Sequence, residues 1–192
     1  MFTIFKNTKK SSITWRKKLL LGSVTLGIFM LSSIANADWT LFKQRFLEPE
    51  GRIIDTGNNG ITHSEGQSAV MLLAVHHNDR PVFDNIWQWT QENLQSREDK
   101  LLAWHWSPAC GLVDINNATD GDLFIAWALL RAHDKWKNPK YLADALEIIQ
   151  AIRENLLLET KRGTVLLPGI AGFNKPEGIV INLSYWVFPA LQ

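Results

Sequence analysis

Cysteine is almost absent from this chain. Of 192 residues only Cys110 carries a thiol, which excludes an intrachain disulfide framework. Metal-site patterns are missing too. His63, His76, His77, His105 and His133 form neither an H-E-x-x-H pair nor a Cys/His cluster, so zinc catalysis is not expected. No G-x-S-x-G elbow, Walker loop or dinucleotide fingerprint occurs. Asp120-Gly121-Asp122 invites a calcium reading, but Ala118 occupies a position where an EF-hand loop needs a ligand. Excess charge is scarce: the formal net charge is +1. Six basic residues and no acidic ones lie in residues 1–37, which leaves residues 38–192 mildly acidic. Such a body is a poor nucleic-acid binder and has no attraction to anionic lipid. Apolar residues make up 46% and charged residues 20%, the usage of a globular chain rather than a long disordered one.

The basic residues of the first segment end at Arg16-Lys17-Lys18, and an apolar run follows from Leu19 to Leu31. At about 13 residues it falls short of the ~20 that a spanning helix needs. Ala35-Asn36-Ala37 then gives an A-x-A end before Asp38. This order is that of a secretory signal peptide, with an uncleaved anchor as the alternative. The expected organisation is a leader at 1–37 and one domain at 38–192, exported to the periplasm or outside a bacterial cell.

Helical spacing dominates the remainder. Helices are expected at 38–48, from Ser64 to about His77, from Pro81 to Leu94, at 120–136, and from Pro139 to about Ile152. Ser64 and Thr119 read as N-caps. Residues 95–118 read as an irregular excursion, 156–168 as a hairpin around Lys161-Arg162-Gly163, and a last helix is expected from Ser184. Cys110 reads as a small buried hydrophobe.

The carboxylates Asp55, Glu65, Asp120 and Asp122 stand at loop-to-helix junctions. In a ring of helical hairpins these junctions converge on one rim, where paired carboxylates suit glycoside hydrolysis. Ser64-Glu65 and Thr119-Asp120 are equally what helix N-termini favour. Trp87, Trp89, Trp104 and Trp106 cluster nearby, either as core or as a stacking platform for a sugar ring.

At these residues a resemblance emerges. Ala118-Thr119-Asp120-Gly121-Asp122 and the residues on to Trp136 resemble the signature of glycoside hydrolase family 8. The segment from Asp55 through Glu65 to Gln67 is similar to that family's general-acid segment. The resemblance implies an all-α fold, the (α/α)6 barrel of six hairpins, of which this chain would supply the first half. It implies an exported endo-β-1,4-glucanase of the cellulose-synthesis type, acting on cellulose or another β-glucan by inversion, without metal or organic cofactor. Glu65 matches the proton donor, Asp120 an active-site aspartate and Trp104 a sugar-stacking indole, while Asp55 and Asp122 on the same rim are expected to bind substrate. The family's general base lies downstream of residue 192, so this chain alone is expected to be weakly active or inactive and prone to association. The competing expectation is an exported β-glucan-binding protein that does not cut. As proton donor, Glu65 has to stay protonated near neutrality, above its reference value of about 4.3. Burial and the nearby Asp120 charge are expected to raise it.

Overall fold

Two different solutions to helix initiation shape this molecule. The computed structural model describes residues 38–191; the expected leader, residues 1–37, lies outside the described residues. The chain divides into units at 1–42 and 43–192. In the first, residues 38–42 are helical and the Trp39 ring stacks on Phe42 at 5.8 Å. In the second, residues 43–46 continue in helical conformation. The helical residues 38–42 of the first unit are labelled α1.

Helices α3 (Arg80–Asn93) and α5 (Pro139–Asn155) start in the ordinary way. Asp79 and Asn138 accept from the backbone N–H of Val82 and Lys140, and a proline opens each first turn where its missing donor costs nothing. Helices α2 (Ser64–His76) and α4 (Thr119–Trp136) start differently from expectation. The cap of α2 is the His63 imidazole, which accepts from Gly66 N–H at 3.1 Å. Ser64 is the first helical residue and is fully buried. Ala118 precedes α4 and has no side-chain oxygen to cap it; the Thr119 hydroxyl, inside the helix, donates outward to the Leu167 carbonyl at 2.6 Å. Neither hydroxyl caps its helix: Ser64 donates to the adjacent Glu65 carboxylate and Thr119 to the distant Leu167 carbonyl.

The fold is helix-rich, with α2 packed beside α3 and α4, and α4 beside α5. Met71, Phe83, Ile86, Leu94, Leu101, Leu102, Ile125, Leu129, Ile148 and Leu156 fill its core. The segment expected to be irregular is an antiparallel sheet. Strand β1 (Thr62–His63) pairs with β2 (Ala103–Ser107), which pairs with β3 (Gly111–Asn117). Thr62 faces Trp106 and His63 faces His105 in register. Register shifts on either side of His105 break the alternation that marks a strand in sequence. Cys110 lies in the exposed turn between β2 and β3, which corrects its reading as a buried residue. Strands β4 (Leu157–Thr160) and β5 (Gly163–Leu166) form the expected hairpin, and β6 (Asn174–Lys175) pairs with β7 (Gly178–Ile179). The expected last helix is replaced by two 3-10 turns, Leu183–Tyr185 and Phe188–Ala190. Asn182 caps the first turn tightly through Ser184 N–H, and Pro189 brings no donor to continue a helix.

The loop carrying Asp55 is clamped from below. Buried Gln67 accepts from Ile53 N–H at 2.6 Å and donates to the Gly51 carbonyl and to Thr90. Gly51 is required there: its φ is +102°, and a Cβ would sit 2.2 Å from the Asn85 carbonyl oxygen.

Candidate active site

Helices α2 and α4 touch at their first turns, and Gly121 makes the approach possible. A Cβ on Gly121 would lie 2.3 Å from Ser64 Oγ and 3.3 Å from Glu65 N. Helix-initial carboxylates Glu65 and Asp120 are thereby brought within electrostatic reach of each other. Burial first, and the Glu65 charge second, push the Asp120 carboxyl up to about 6.

Glu65 behaves differently from expectation. Burial pushes its carboxyl up, but the hydrogen bond to His63, its own backbone N–H, the His63 charge and Ser64 together outweigh burial and hold it below the ordinary value. Its Oε2 lies 3.2 Å from the Ser64 hydroxyl, which donates to it, and 3.4 Å from His63 Nδ1. The expected rise falls instead on Asp120 and on His63, whose imidazole is raised chiefly by Glu65 against the effect of burial.

Asp55 stands on the far side of the imidazole, with Oδ2 3.4 Å from His63 Nε2. It accepts from the Asn58 amide at 2.6 Å and from Gly57 N–H at 2.9 Å, and these contacts hold its carboxyl below the ordinary range. Its neighbour in the site is therefore His63. Histidine 63 went unassigned in the sequence, although its place directly before Ser64-Glu65 was the available signal. Tyr185 is the other residue missed: burial raises its hydroxyl first, and the charges of Asp120 and Glu65 add to the rise, so the phenol lies within electrostatic reach of the carboxylates.

Asp122 is corrected. It is fully buried and points inward, where its carboxylate accepts from Leu102 N–H at 2.9 Å and from the Asn117 amide at 2.8 Å. A carboxylate so enclosed ties α4 to the base of the β2–β3 hairpin and has no face for a sugar. Burial pushes it up to about 7 against these hydrogen bonds.

The tryptophans divide as well. Trp87 is buried and donates to Asp144 at 2.8 Å; Trp89 is buried and meets Trp106 edge-on at 5.3 Å. Trp106 is covered by the Arg52 guanidinium at 5.2 Å. Trp104 is half-buried on β2, its indole N–H tied to Asp114 at 2.8 Å. Among the described residues, no three His, Cys, Asp or Glu side chains gather as metal ligands.

Two convergent helix starts bring a pair of acids together, with a histidine between two carboxylates, an arrangement that can hold and pass a proton. A sequence model of glycosyl hydrolases family 8 matches residues 16–192. The chain belongs to glycosyl hydrolase family 8. Among family relatives, the endoglucanase of Cellulomonas uda is 42% identical over 158 residues, which is 81% of this chain and 44% of that protein. The crystal structure of endoglucanase Cel10 from Klebsiella pneumoniae superposes with a TM-score of 0.77 at 43% identity, over 79% of this chain and 50% of that one. Endo-beta-1,4-glucanase CMCax from Acetobacter xylinum gives 0.75 at 41%, over 80% and 49%. The chain spans about half the length of the curated relatives it matches.

Proposed function

We propose that this chain is the N-terminal part of an (α/α)6-barrel endo-β-1,4-glucanase that hydrolyses cellulose or a related β-glucan with inversion. The observation that carries the reading is the junction at Gly121, where the first turns of α2 and α4 set Glu65 beside Asp120. Endoglucanase relatives on both comparisons support the substrate class. Glu65 donates the proton to the glycosidic oxygen as the C–O bond breaks, and a water activated by a base attacks the opposite face of the sugar. That base is none of the residues assigned here. Asp120, raised to about 6, exchanges hydrogen bonds with the sugar at the cleavage point and opposes a second negative charge on Glu65. The free face of Trp104 receives a pyranose ring. Asp55 acts on Glu65 through His63 rather than on the sugar. The segment 1–37 serves as a cleaved export leader, and the product works in the periplasm or outside the cell, beside the machinery that makes cellulose.

Replacing the acid tests the reading. Glu65→Gln is expected to lower reducing-sugar release from carboxymethylcellulose by roughly 10²–10⁴-fold, the usual loss of general acid catalysis. Near-normal turnover by a folded variant would reduce Glu65 to a helix-terminal charge. Glucan binding with no hydrolysis by the unsubstituted protein would favour a binding role.

A further inference from the structure

His63 occupies an unusual position for a helix cap. Its Nδ1 meets two groups at once, Gly66 N–H at 3.1 Å and Glu65 Oε2 at 3.4 Å. A nitrogen that accepts from Gly66 cannot at the same moment donate to Glu65. If Nδ1 is a bare lone pair, it repels an anionic oxygen 3.4 Å away and so favours a proton on Glu65. If Nδ1 carries the proton, Glu65 is anionic and the cap bond is lost. One proton therefore serves both groups. The downward shift of Glu65 and the upward shift of His63 favour the second arrangement, imidazolium beside carboxylate, and the Gly66 bond opposes it.

The surroundings bias the sharing. Asp55, kept anionic by Asn58 and Gly57, faces Nε2 and fixes the tautomer with hydrogen there and the lone pair at Nδ1. Gly66 lets the imidazole lie against the helix start, since a Cβ would meet the ring at 3.3 Å. Its N–H bonds the neutral imidazole only, so the cap favours the state with the proton on Glu65. The other ionisable groups around the pair are His105, the cross-strand partner of His63 on β2, Asp120 on α4 and Tyr185 in the 3-10 turn. An anionic Asp120 favours retention of the proton, and Tyr185 is neutral near pH 7.

We propose that Asp55, His63 and Glu65 work as one proton-holding unit, in which His63 keeps a proton available to Glu65, Asp55 fixes the tautomer, and the Gly66 amide favours passage of the proton from the imidazole to the acid. The inference rests on Glu65 being the general acid. In turnover, Glu65 passes its proton to the leaving oxygen and becomes a carboxylate, while the bonding pair of the broken C–O bond stays on that oxygen. Water then returns one proton to the unit through the part-exposed imidazole, at Nδ1, and it moves on to Oε2. His63 is a positioning residue in this scheme and never touches substrate.

Nuclear magnetic resonance on the full chain tests the unit without reference to hydrolysis. With 15N-histidine and 13C-glutamate labels, His63 is expected above neutral pH as the tautomer with hydrogen on Nε2. The His63 ring and the Glu65 carboxyl carbon should share an upper midpoint above 6.5, the ordinary histidine value. Glu65→Gln should lower the His63 midpoint by about one pH unit or more, the threshold for coupled sites. His63→Asn keeps an oxygen for Gly66 N–H and so preserves the cap. In that variant Glu65 should titrate in a single step below the wild-type upper midpoint. Independent titrations, each unmoved by replacement of the other residue, or hydrogen on Nδ1 above neutrality, would overturn the proposal. Should either variant fail to fold, the wild-type tautomer and the shared midpoint still decide. Loss of hydrolysis in Glu65→Gln speaks to the acid role alone, so the two failures are separable.

Discussion

Two residues apart on one helical turn, Asp120 and Asp122 meet opposite surroundings. The first reaches toward Glu65 and the second is enclosed between Leu102 and Asn117. Both carboxyls are raised, and burial is the first cause in each, yet only Asp120 retains access to a ligand. Trp104 shows the same dependence on a neighbour. Asp114 takes its indole N–H, and that bond is the largest cause of the lowered Asp114 carboxyl. The edge of the ring is thus occupied, and its face is what remains for a sugar. Trp104→Ala is expected to weaken glucan binding by roughly 0.5–1.5 kcal/mol beyond the lost contact area. Affinity electrophoresis in a β-glucan gel reads the binding, and thermal melting monitors the fold. Unchanged mobility would remove Trp104 from the site, and a collapsed melt would assign it to packing.

At the scale of elements, the site depends on how closely the first turns of α2 and α4 approach. Gly121→Ala inserts a methyl 2.3 Å from Ser64 Oγ and 2.9 Å from its Cβ. Ser64 is fully buried, so it has nowhere to retreat. Overpacking of this kind costs typically about 1–3 kcal/mol. The thermal midpoint should fall accordingly, and hydrolysis should fall by more than the folded fraction does, because Glu65 and Asp120 are forced apart. A midpoint equal to wild type would show that the helices accommodate the methyl. Most of these helices were legible in the sequence, since Asp79-Arg80-Pro81 and Asn138-Pro139 are local start signals and the apolar spacing is regular. The β2–β3 hairpin was not, because two register shifts around His105 scramble the alternation, and β1, the second partner of β2, lies in a separate segment. The meeting of Glu65 and Asp120 at adjacent helix starts was legible through their places at loop-to-helix junctions. Asp122 was misassigned because its burial depends on Leu102 and Asn117, partners that spacing within the signature does not reveal. His63 was overlooked because an imidazole cap is rarer than the serine beside it.

For the molecule as a whole, the buried carboxyls set how stability follows pH. Asp122 rises from an ordinary 3.8 to about 7 and Asp120 from 3.8 to about 6. A carboxyl raised on folding is ionised more readily in the unfolded chain. Its contribution is therefore fully present below its unfolded value and is lost as pH climbs through the folded one. His63, raised from 6.5, acts in the same direction. Asp55, Glu65 and Asp114 are lowered, so their contributions are present above their unfolded values and are lost as pH falls through the folded ones. The two sets leave a crest on the acid side of neutrality. We expect the thermal midpoint to be highest between about pH 4 and 5 and to decline toward about pH 8, with Asp122 alone responsible for a few kcal/mol of the decline. Asp122→Asn should flatten that slope, since the side chain no longer ionises. It should also lower the whole curve, because the Asn117 amide that donates to Asp122 would then confront another amide. Melting curves of both proteins across this range check the expectation, and a wild-type midpoint that climbs from pH 5 to pH 8 would refute it. The same low-dielectric enclosure that makes Asp122 costly near neutrality also anchors α4 beneath the strands, and Asp120 is carried one turn edge away on that anchor. Stability at neutral pH and the placing of the acid pair are for this reason coupled through a single helix start.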